Sequence, residues 1–291
     1  MARRLGGSMK RFCIAGATLA ALIVSPAIAA DMPVKAAIYK APPPIAYSWT
    51  GFYVGGNGGY GWGSRTANLN PGDSTAVLAI SAVAGGTPPP VAPFDLHGGL
   101  VGLQGGYNWQ FDRSWLVGIE ADYDWARIRG SGTSAFFLNG LPSTFQVNQN
   151  ITSFGTVRGR VGWLAIPTLL VYGTGGFAYG HVTESQTVAG GATLATAVSG
   201  FVCGPGLQCL AANSSRNLNG WTVGTGLEYA LWEHCTIKAE FLYVNLGSGD
   251  VAGMPAASVA GLAPGTRPSS FTSANSQVDF HVVRAGLNWK F

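Results

Sequence analysis

The stretch Trp115-Leu-Val-Gly-Ile-Glu-Ala-Asp-Tyr-Asp-Trp125 alternates between two kinds of side chain. Every second position, from Trp115 to Trp125, is apolar or aromatic, and most positions between them carry Gly, Glu or Asp. A period of two belongs to a β-strand, whose successive side chains point to opposite faces, whereas a helix repeats every 3.6 residues. The stretch therefore predicts a strand with one apolar face and one acidic face.

Seven further segments follow the same period: 50–62, 99–109, 153–163, 169–180, 220–231, 236–246 and 280–291. Eight strands of about ten residues have the length that crosses a bilayer at a tilt. Tryptophans cluster at the segment ends, as expected for aromatic girdles at the two membrane interfaces. In the last segment the alternation breaks phase near Phe280, which predicts a bulge or a later start of the strand.

The connections between these segments alternate in length. The short ones are 110–114, 164–168 and 232–235, and the long ones are 63–98, 126–152, 181–219 and 247–279. Outer-membrane barrels have short periplasmic turns and long outer loops, whereas a soluble sandwich has no reason to alternate in this way. The sequence therefore predicts an all-β fold: an eight-stranded antiparallel transmembrane β-barrel over residues 49–291, with short periplasmic turns and four long outer loops.

Charge is scarce and unevenly placed. Only 10% of the 291 residues are charged, against about 25% in a typical soluble domain. The net charge of +4 comes from residues 1–30, whose basic residues are Arg3, Arg4, Lys10 and Arg11, so the remainder is neutral. This composition excludes a highly charged disordered protein and, since no basic cluster follows, a nucleic-acid-binding protein.

Residues 1–30 have the basic start, apolar stretch and small-residue end of a cleaved secretory signal peptide. Cleavage is expected after Ala29 or Ala30, and translation starts at Met1 or Met9. Residues 31–48 are rich in proline and predict an extended periplasmic linker.

Nine charged residues fall on the polar faces of the predicted strands: Glu120, Asp122, Asp124, Arg158, Arg160, Glu228, Lys238, Glu240 and Arg284. The interior of an eight-stranded barrel is just wide enough for side chains to fill it. We therefore expect ion pairs in the lumen: Glu120 and Asp122 with Arg158 and Arg160, Glu228 with Lys238, and Glu240 with Arg284. A polar plug is the main interpretation, and a narrow conduit whose charges select ions is the alternative.

Cysteine and histidine give weaker signals. Cys203 and Cys209 flank five residues in the third long connection, which in an oxidising compartment predicts a disulfide, with a metal site as the alternative. Cys235 falls in a periplasmic turn and is expected to be unpaired. His97 and His181 near the outer rim allow a hypothesis of haem binding. We predict no cofactor, no metal and no catalytic residue.

The chain resembles a known family in four stretches: Ala30-Asp-Met-Pro-Val-Lys, Trp49-Thr-Gly-Phe-Tyr-Val-Gly-Gly, Val157-Arg-Gly-Arg-Val-Gly and Arg284-Ala-Gly-Leu-Asn-Trp-Lys-Phe291. They are similar to the outer-membrane immunogenic proteins of alphaproteobacteria, the RopB-type small β-barrel family, which is akin to the transmembrane domain of OmpA. The resemblance implies an eight-stranded outer-membrane barrel that is surface-exposed and often antigenic, and it does not imply a catalytic residue. Some members are described as porin-like or haem-binding. The end of the chain resembles the signal read by the barrel assembly machinery, at Leu287, Trp289 and Phe291.

We therefore expect a monomeric protein of the bacterial outer membrane with a structural role in envelope integrity and in contact with a host or the environment. A small-solute porin-like channel and a haem-binding surface protein are the alternatives, and an enzyme is not expected. The expected partners are outer-membrane lipid and lipopolysaccharide and, during biogenesis, the barrel assembly machinery and periplasmic chaperones.

Overall fold

The computed structural model describes residues 47–71, 90–138, 141–190, 208–248, 251–255, 271–273 and 277–291. Ten strands occur in this part of the chain: β1 Gly51–Pro71, β2 Val91–Gln110, β3 Trp115–Leu138, β4 Leu141–Ile166, β5 Leu169–Gly190, β6 Gln208–Trp232, β7 Cys235–Ser248, β8 Val251–Pro255, β9 Phe271–Ser273 and β10 Gln277–Lys290. The described residues include no helix that is long and apolar enough to cross a membrane. The predicted signal peptide and nearly all of the predicted linker lie outside the described residues.

Eight long strands form a closed antiparallel ring. Each of β1 to β6 pairs with the next strand, and β10 lies between β7 and β1, where Tyr53 faces Lys290 and Trp62 faces His281. This last pairing removes the two open edges that a sheet of eight strands would otherwise expose. The predicted eight-stranded barrel is thus confirmed. The short strands β8 and β9 pair with each other and with the outer ends of β6 and β1.

The strands are considerably longer than the sequence pattern predicted. Strand β3 continues to Leu138 and β4 begins at Leu141, so the region 126–152 is a β-hairpin with two residues between its strands. The prediction that 126–152 is a long connection was therefore wrong. Parts of the other three predicted long connections also belong to strands.

An inversion of the side-chain pattern explains why these extensions were missed. In the first part of β10 the inward positions are apolar, at Val278, Phe280 and Val282. In its second part, nearer the end of the chain, the inward positions are polar, as at Arg284 and Asn288. The outward positions change in the opposite sense. The phase break expected near Phe280 is this inversion: β10 starts before Phe280, and the irregularity in its pairing lies between Gln277 and Asp279.

The inversion also marks where the barrel leaves the lipid. On β3, outward side chains are apolar from Trp115 to Trp125 and are followed by exposed Arg127 and Arg129. Lipid-facing positions must be apolar, whereas positions in water are polar. The opposite end carries the short turns 111–114, 167–168 and 233–234, which makes it the periplasmic end.

Candidate functional site in the barrel lumen

The nine charged residues predicted to line the lumen all point inward and form one layer, here called the charged layer. They come from five strands: Glu120, Asp122 and Asp124 on β3, Arg158 and Arg160 on β4, Glu228 on β6, Lys238 and Glu240 on β7, and Arg284 on β10. Each of these nine residues is at most 6% exposed. Burial of this many charges is stable only if each charge has a partner.

Two guanidinium groups form the centre of the charged layer. Arg158 donates hydrogen bonds to Glu120 at 2.6 Å, Asp122 at 2.9 Å and Glu240 at 2.9 Å. The carboxylates bound by Arg284 are Asp122 (2.7 Å), Asp124 (2.8 Å) and Glu240 (2.7 Å). Because the two arginines share Asp122 and Glu240, the layer is a connected network rather than a set of separate pairs.

Lys238 and Arg160 extend this network toward the periplasm. Lys238 lies opposite Glu228 in the strand register, but its ammonium group binds Glu120 at 2.8 Å. Glu228 instead accepts a hydrogen bond from Arg160 at 3.1 Å, so the structure does not form the expected contact between Glu228 and Lys238. The guanidinium of Arg160 also lies over two aromatic rings, 4.9 Å from the centre of Tyr53 and 5.2 Å from that of Tyr172.

Neutral side chains continue the hydrogen bonding across the lumen. Asn57 donates to Gln104 at 3.2 Å, and Gln104 donates to Asn288 at 2.6 Å. Asn288 in turn donates to Glu228 at 2.8 Å, and Tyr53 donates to Glu120 at 2.7 Å. Side chains from opposite walls of the barrel are therefore joined to one another at the height of the charged layer.

A layer of buried apolar side chains, here called the outer apolar layer, lies inside the barrel on the side of the charged layer that faces away from the periplasm. Its members are buried and come from seven strands: Leu96, Leu100, Ala126, Ile128, Ile151, Phe154, Ala178, Val182, Leu218, Leu242, Val244, Leu246, Val278, Phe280 and Val282. Phe154 and Phe280 meet edge to face with their ring centres 5.3 Å apart. Dense apolar packing of this kind excludes water and ions.

A periplasmic apolar layer lies at the other end of the lumen, formed by Trp49, Leu116, Leu164, Leu170, Tyr172 and Ala230. Trp49 is only 1% exposed, and its indole N–H donates to the carbonyl oxygen of Pro167 at 3.0 Å. Tyr47 packs edge-on against Trp49 with 4.9 Å between ring centres, and burial raises the pKa of its phenol to about 12. The residues just before β1 thus fold into the barrel mouth.

The sequence analysis predicted neither apolar layer, although the strand alternation contained a signal for the periplasmic one. Inward positions of β1 have odd numbers, as at Tyr53 and Asn57, and Trp49 shares that parity. The strand alternation, continued two residues before β1, would have placed Trp49 inside the barrel.

The remaining predicted residues lie apart from the lumen. Leu287, Trp289 and Phe291 point outward and are 55%, 51% and 71% exposed, as a lipid-facing strand end requires. Cys235 is a half-buried free cysteine at the first position of β7. The predicted disulfide lies outside the described residues, which include neither Cys203 nor the side chain of Cys209.

The structure does not bring His97 and His181 together as a haem-ligand pair. They lie on β2 and β5, with β3 and β4 between them. Both ring nitrogens of His181 already have partners, Asn217 at 2.8 Å and Ser215 at 3.1 Å. Within the described part of the chain, no group of three or more His, Cys, Asp or Glu side chains is arranged to hold a metal ion.

A closed ring of eight antiparallel strands, with an outward apolar band bounded by aromatic residues, defines a small outer-membrane β-barrel protein. A family model described as "Outer membrane protein beta-barrel domain" matches residues 17–291, and the chain belongs to this family. The predicted family and the predicted outer-membrane location are both confirmed.

Two curated relatives are the 31 kDa outer-membrane immunogenic proteins of Brucella melitensis and Brucella suis. Each is 34% identical over 278 residues, covering 94% of this chain and 98% of the relative. A 22 kDa outer membrane protein of Rhizobium leguminosarum is 30% identical and covers 72% of this chain and 71% of its own. Among solved structures, OprG from Pseudomonas aeruginosa matches 85% of this chain and 99% of its own with a TM-score of 0.48 and 14% identity.

Proposed function

We propose that the protein is a structural barrel with a closed lumen, which contributes to envelope integrity and presents its outer strands to a host or the environment. The stacking of the two apolar layers on the charged layer carries this proposal. The names of the Brucella relatives, which describe them as immunogenic, support surface exposure of the same fold.

The three layers obstruct the passage of a hydrated ion one after another. A hydrated ion would have to enter apolar packing around Phe154 and Phe280, where it loses its water without gaining a partner. It would then have to separate ion pairs of 2.6 to 2.9 Å around Arg158. At the periplasmic end, Trp49 and its neighbours fill the remaining cross-section.

The same charged layer has a mechanical role. Arg158 on β4 binds carboxylates on β3 and β7, and Arg284 on β10 does the same. The contacts from β4 to β7 and from β10 to β3 cross-link strands that are not neighbours in the barrel wall, so they resist flattening of the cylinder. The outward apolar band anchors this stiffened cylinder in lipid.

A porin-like channel is the competing function, and planar-bilayer conductance of the pure refolded protein separates the two. We expect no resolved openings at voltages at which a general porin, tested in the same bilayer, conducts. Folding of the barrel is checked by its heat-modifiable gel mobility. Resolved openings whose ion selectivity changes in the Lys238→Met variant would overturn the closed-lumen proposal, because Lys238 lies in the charged layer.

A further inference from the structure

A second set of polar side chains lies inside the barrel, beyond the outer apolar layer. Its members point inward and are here called the outer polar cluster: Arg65 on β1, Gln149 on β4, Glu184 and Gln186 on β5, and Arg216 on β6. On β4, β5 and β6 the cluster begins two residues beyond the last member of the outer apolar layer. On β1, Arg65 lies about 26 Å along the strand from Asn57, which is at the height of the charged layer. The outer polar cluster is therefore separate from the charged layer.

The members of the cluster on β4, β5 and β6 lie close together around one carboxylate. Glu184 accepts a hydrogen bond from Gln186 at 2.5 Å, and a guanidinium nitrogen of Arg216 lies 3.6 Å from its other oxygen. Gln149 is paired directly with Glu184 in the strand register, so its side chain points into the same space. With Arg65 included, the cluster holds two cations and one carboxylate, which leaves an excess of one positive charge.

Arg65 carries this excess charge. It is only 6% exposed, it forms no ion pair with any described residue, and its Nη1 has no hydrogen-bond partner. Two carboxylates act on it electrostatically, Glu184 and Asp279. Glu184 is already paired with Arg216, and Asp279 lies on the outward face of β10, where it accepts a hydrogen bond from Tyr243 at 3.5 Å. Because a buried charge is unfavourable without a partner, the position of Arg65 calls for an anion inside the barrel.

Gln149 adds two further unsatisfied groups to the cluster. It is 2% exposed, and neither its Nε2 nor its Oε1 has a hydrogen-bond partner. The cluster thus has free donors on Arg65 and Gln149 and a free acceptor on Gln149, whereas buried polar groups in native proteins are normally satisfied. Water reaches this part of the lumen, because the inward-pointing side chain of Arg216 is 19% exposed. A molecule of a few atoms therefore has a route to the cluster.

We propose that the outer polar cluster binds a small carboxylic acid that carries a hydroxyl group. The carboxylate accepts hydrogen bonds from the guanidinium of Arg65 and the side-chain amide of Gln149, and it neutralises the excess positive charge. The hydroxyl group donates to Oε1 of Gln149, which a carboxylate alone would leave unsatisfied. This binding does not depend on the closed-lumen proposal, because the ligand lies on the outer side of the outer apolar layer and does not need to cross it.

Glycolate is the simplest probe, since it consists of one carboxylate and one hydroxyl group. The refolded protein in lipid vesicles is unfolded with urea at increasing concentrations of sodium glycolate, with sodium chloride keeping the ionic strength constant. A ligand that binds only the folded state raises the urea midpoint. We expect the midpoint to rise with glycolate, to rise less with acetate, and to stay unchanged with ethylene glycol, which has no carboxylate. No rise with glycolate, or an equal rise with ethylene glycol, would overturn the proposal.

Variants assign the effect to the cluster. Arg65→Met should lose the rise with glycolate, while its midpoint without glycolate stays equal to that of the wild type or exceeds it, because an unpaired buried charge has been removed. Gln149→Met should remove the difference between glycolate and acetate, since the acceptor for the hydroxyl group is gone. The control Arg127→Met removes an exposed, outward-pointing arginine and should keep the full rise.

The site and the closed lumen fail in different ways. A rise with glycolate that survives Arg65→Met, or a lower midpoint of this variant without glycolate, would overturn the site, because Arg65 would then be held by a partner within the protein. Resolved openings in planar bilayers together with an intact, Arg65-dependent rise would overturn the closed lumen and support the site.

Discussion

Arg158 lies in a position where its charge cannot be removed without leaving carboxylates unpaired. Its guanidinium contacts Glu120, Asp122 and Glu240, and no side chain among these is more than 2% exposed. The charged layer contains five carboxylates and four bases, so loss of one base increases an existing excess of negative charge. Breaking a buried ion pair from one side costs far more than the pair contributes when intact.

We predict that Arg158→Met lowers the free energy of unfolding by about 3–5 kcal/mol, because buried carboxylates lose their counter-ion. Urea unfolding in lipid vesicles, followed by tryptophan fluorescence, measures this change. The control Arg113→Met alters an exposed turn residue and should change stability by no more than about 0.5 kcal/mol. Adding Glu240→Gln to Arg158→Met should recover part of the loss, and strictly additive losses would contradict the network.

Partner choice within the charged layer shows the limit of sequence reasoning at this scale. Strand parity placed Lys238 and Glu228 on the inward face and made them neighbours in adjacent strands. The ammonium of Lys238 nevertheless reaches Glu120 on β3, which is not adjacent to β7. Parity determines the face on which a side chain lies, but contacts across a narrow lumen depend on the barrel's shear and side-chain length, which alternation does not report.

At the scale of the strand, the sequence predicted what lies in lipid and missed what lies beyond it. The segment 115–125 was identified because its apolar face is constant. Beyond Trp125, Ala126 and Ile128 are buried inside while Arg127 and Arg129 face outward, so the apolar face has changed sides. A search for one apolar face stops at such an inversion, although the strand continues. The cause is the change of solvent outside the barrel from lipid to water.

Close packing between strands gives a test of these outer extensions. Gly98 on β2 points inward, and a Cβ there would overlap the carbonyl oxygen of Arg127 on β3, whereas a Cβ on Gly99 would meet nothing nearer than the carbonyl oxygen of Gly59 at 3.9 Å. We predict that Gly98→Ala lowers stability by about 1–3 kcal/mol because the two strands must separate. Gly99→Ala should be nearly neutral. The two urea midpoints provide the measurement, and equal midpoints would contradict the strand packing seen at this height.

At the scale of the whole molecule, the barrel wall extends well past the membrane on one side only. From Trp125 to Leu138, β3 rises about 43 Å along its own axis at about 3.3 Å per residue. On the periplasmic side, two residues, 233–234, are enough to join β6 to β7. This asymmetry agrees with a barrel whose exposed mass faces the environment, as the proposed function requires.

The orientation follows from this asymmetry and is testable on living cells. An epitope tag inserted between Leu138 and Leu141, which are paired at the outer ends of β3 and β4, should be labelled by antibody on intact cells. The same tag inserted between Glu233 and His234 should be labelled only after the outer membrane is permeabilised, because that turn lies at the periplasmic end. Heat-modifiable mobility of both insertion variants verifies that the barrel has formed. Labelling of the Glu233–His234 tag on intact cells would instead show that the barrel has the opposite orientation in the membrane.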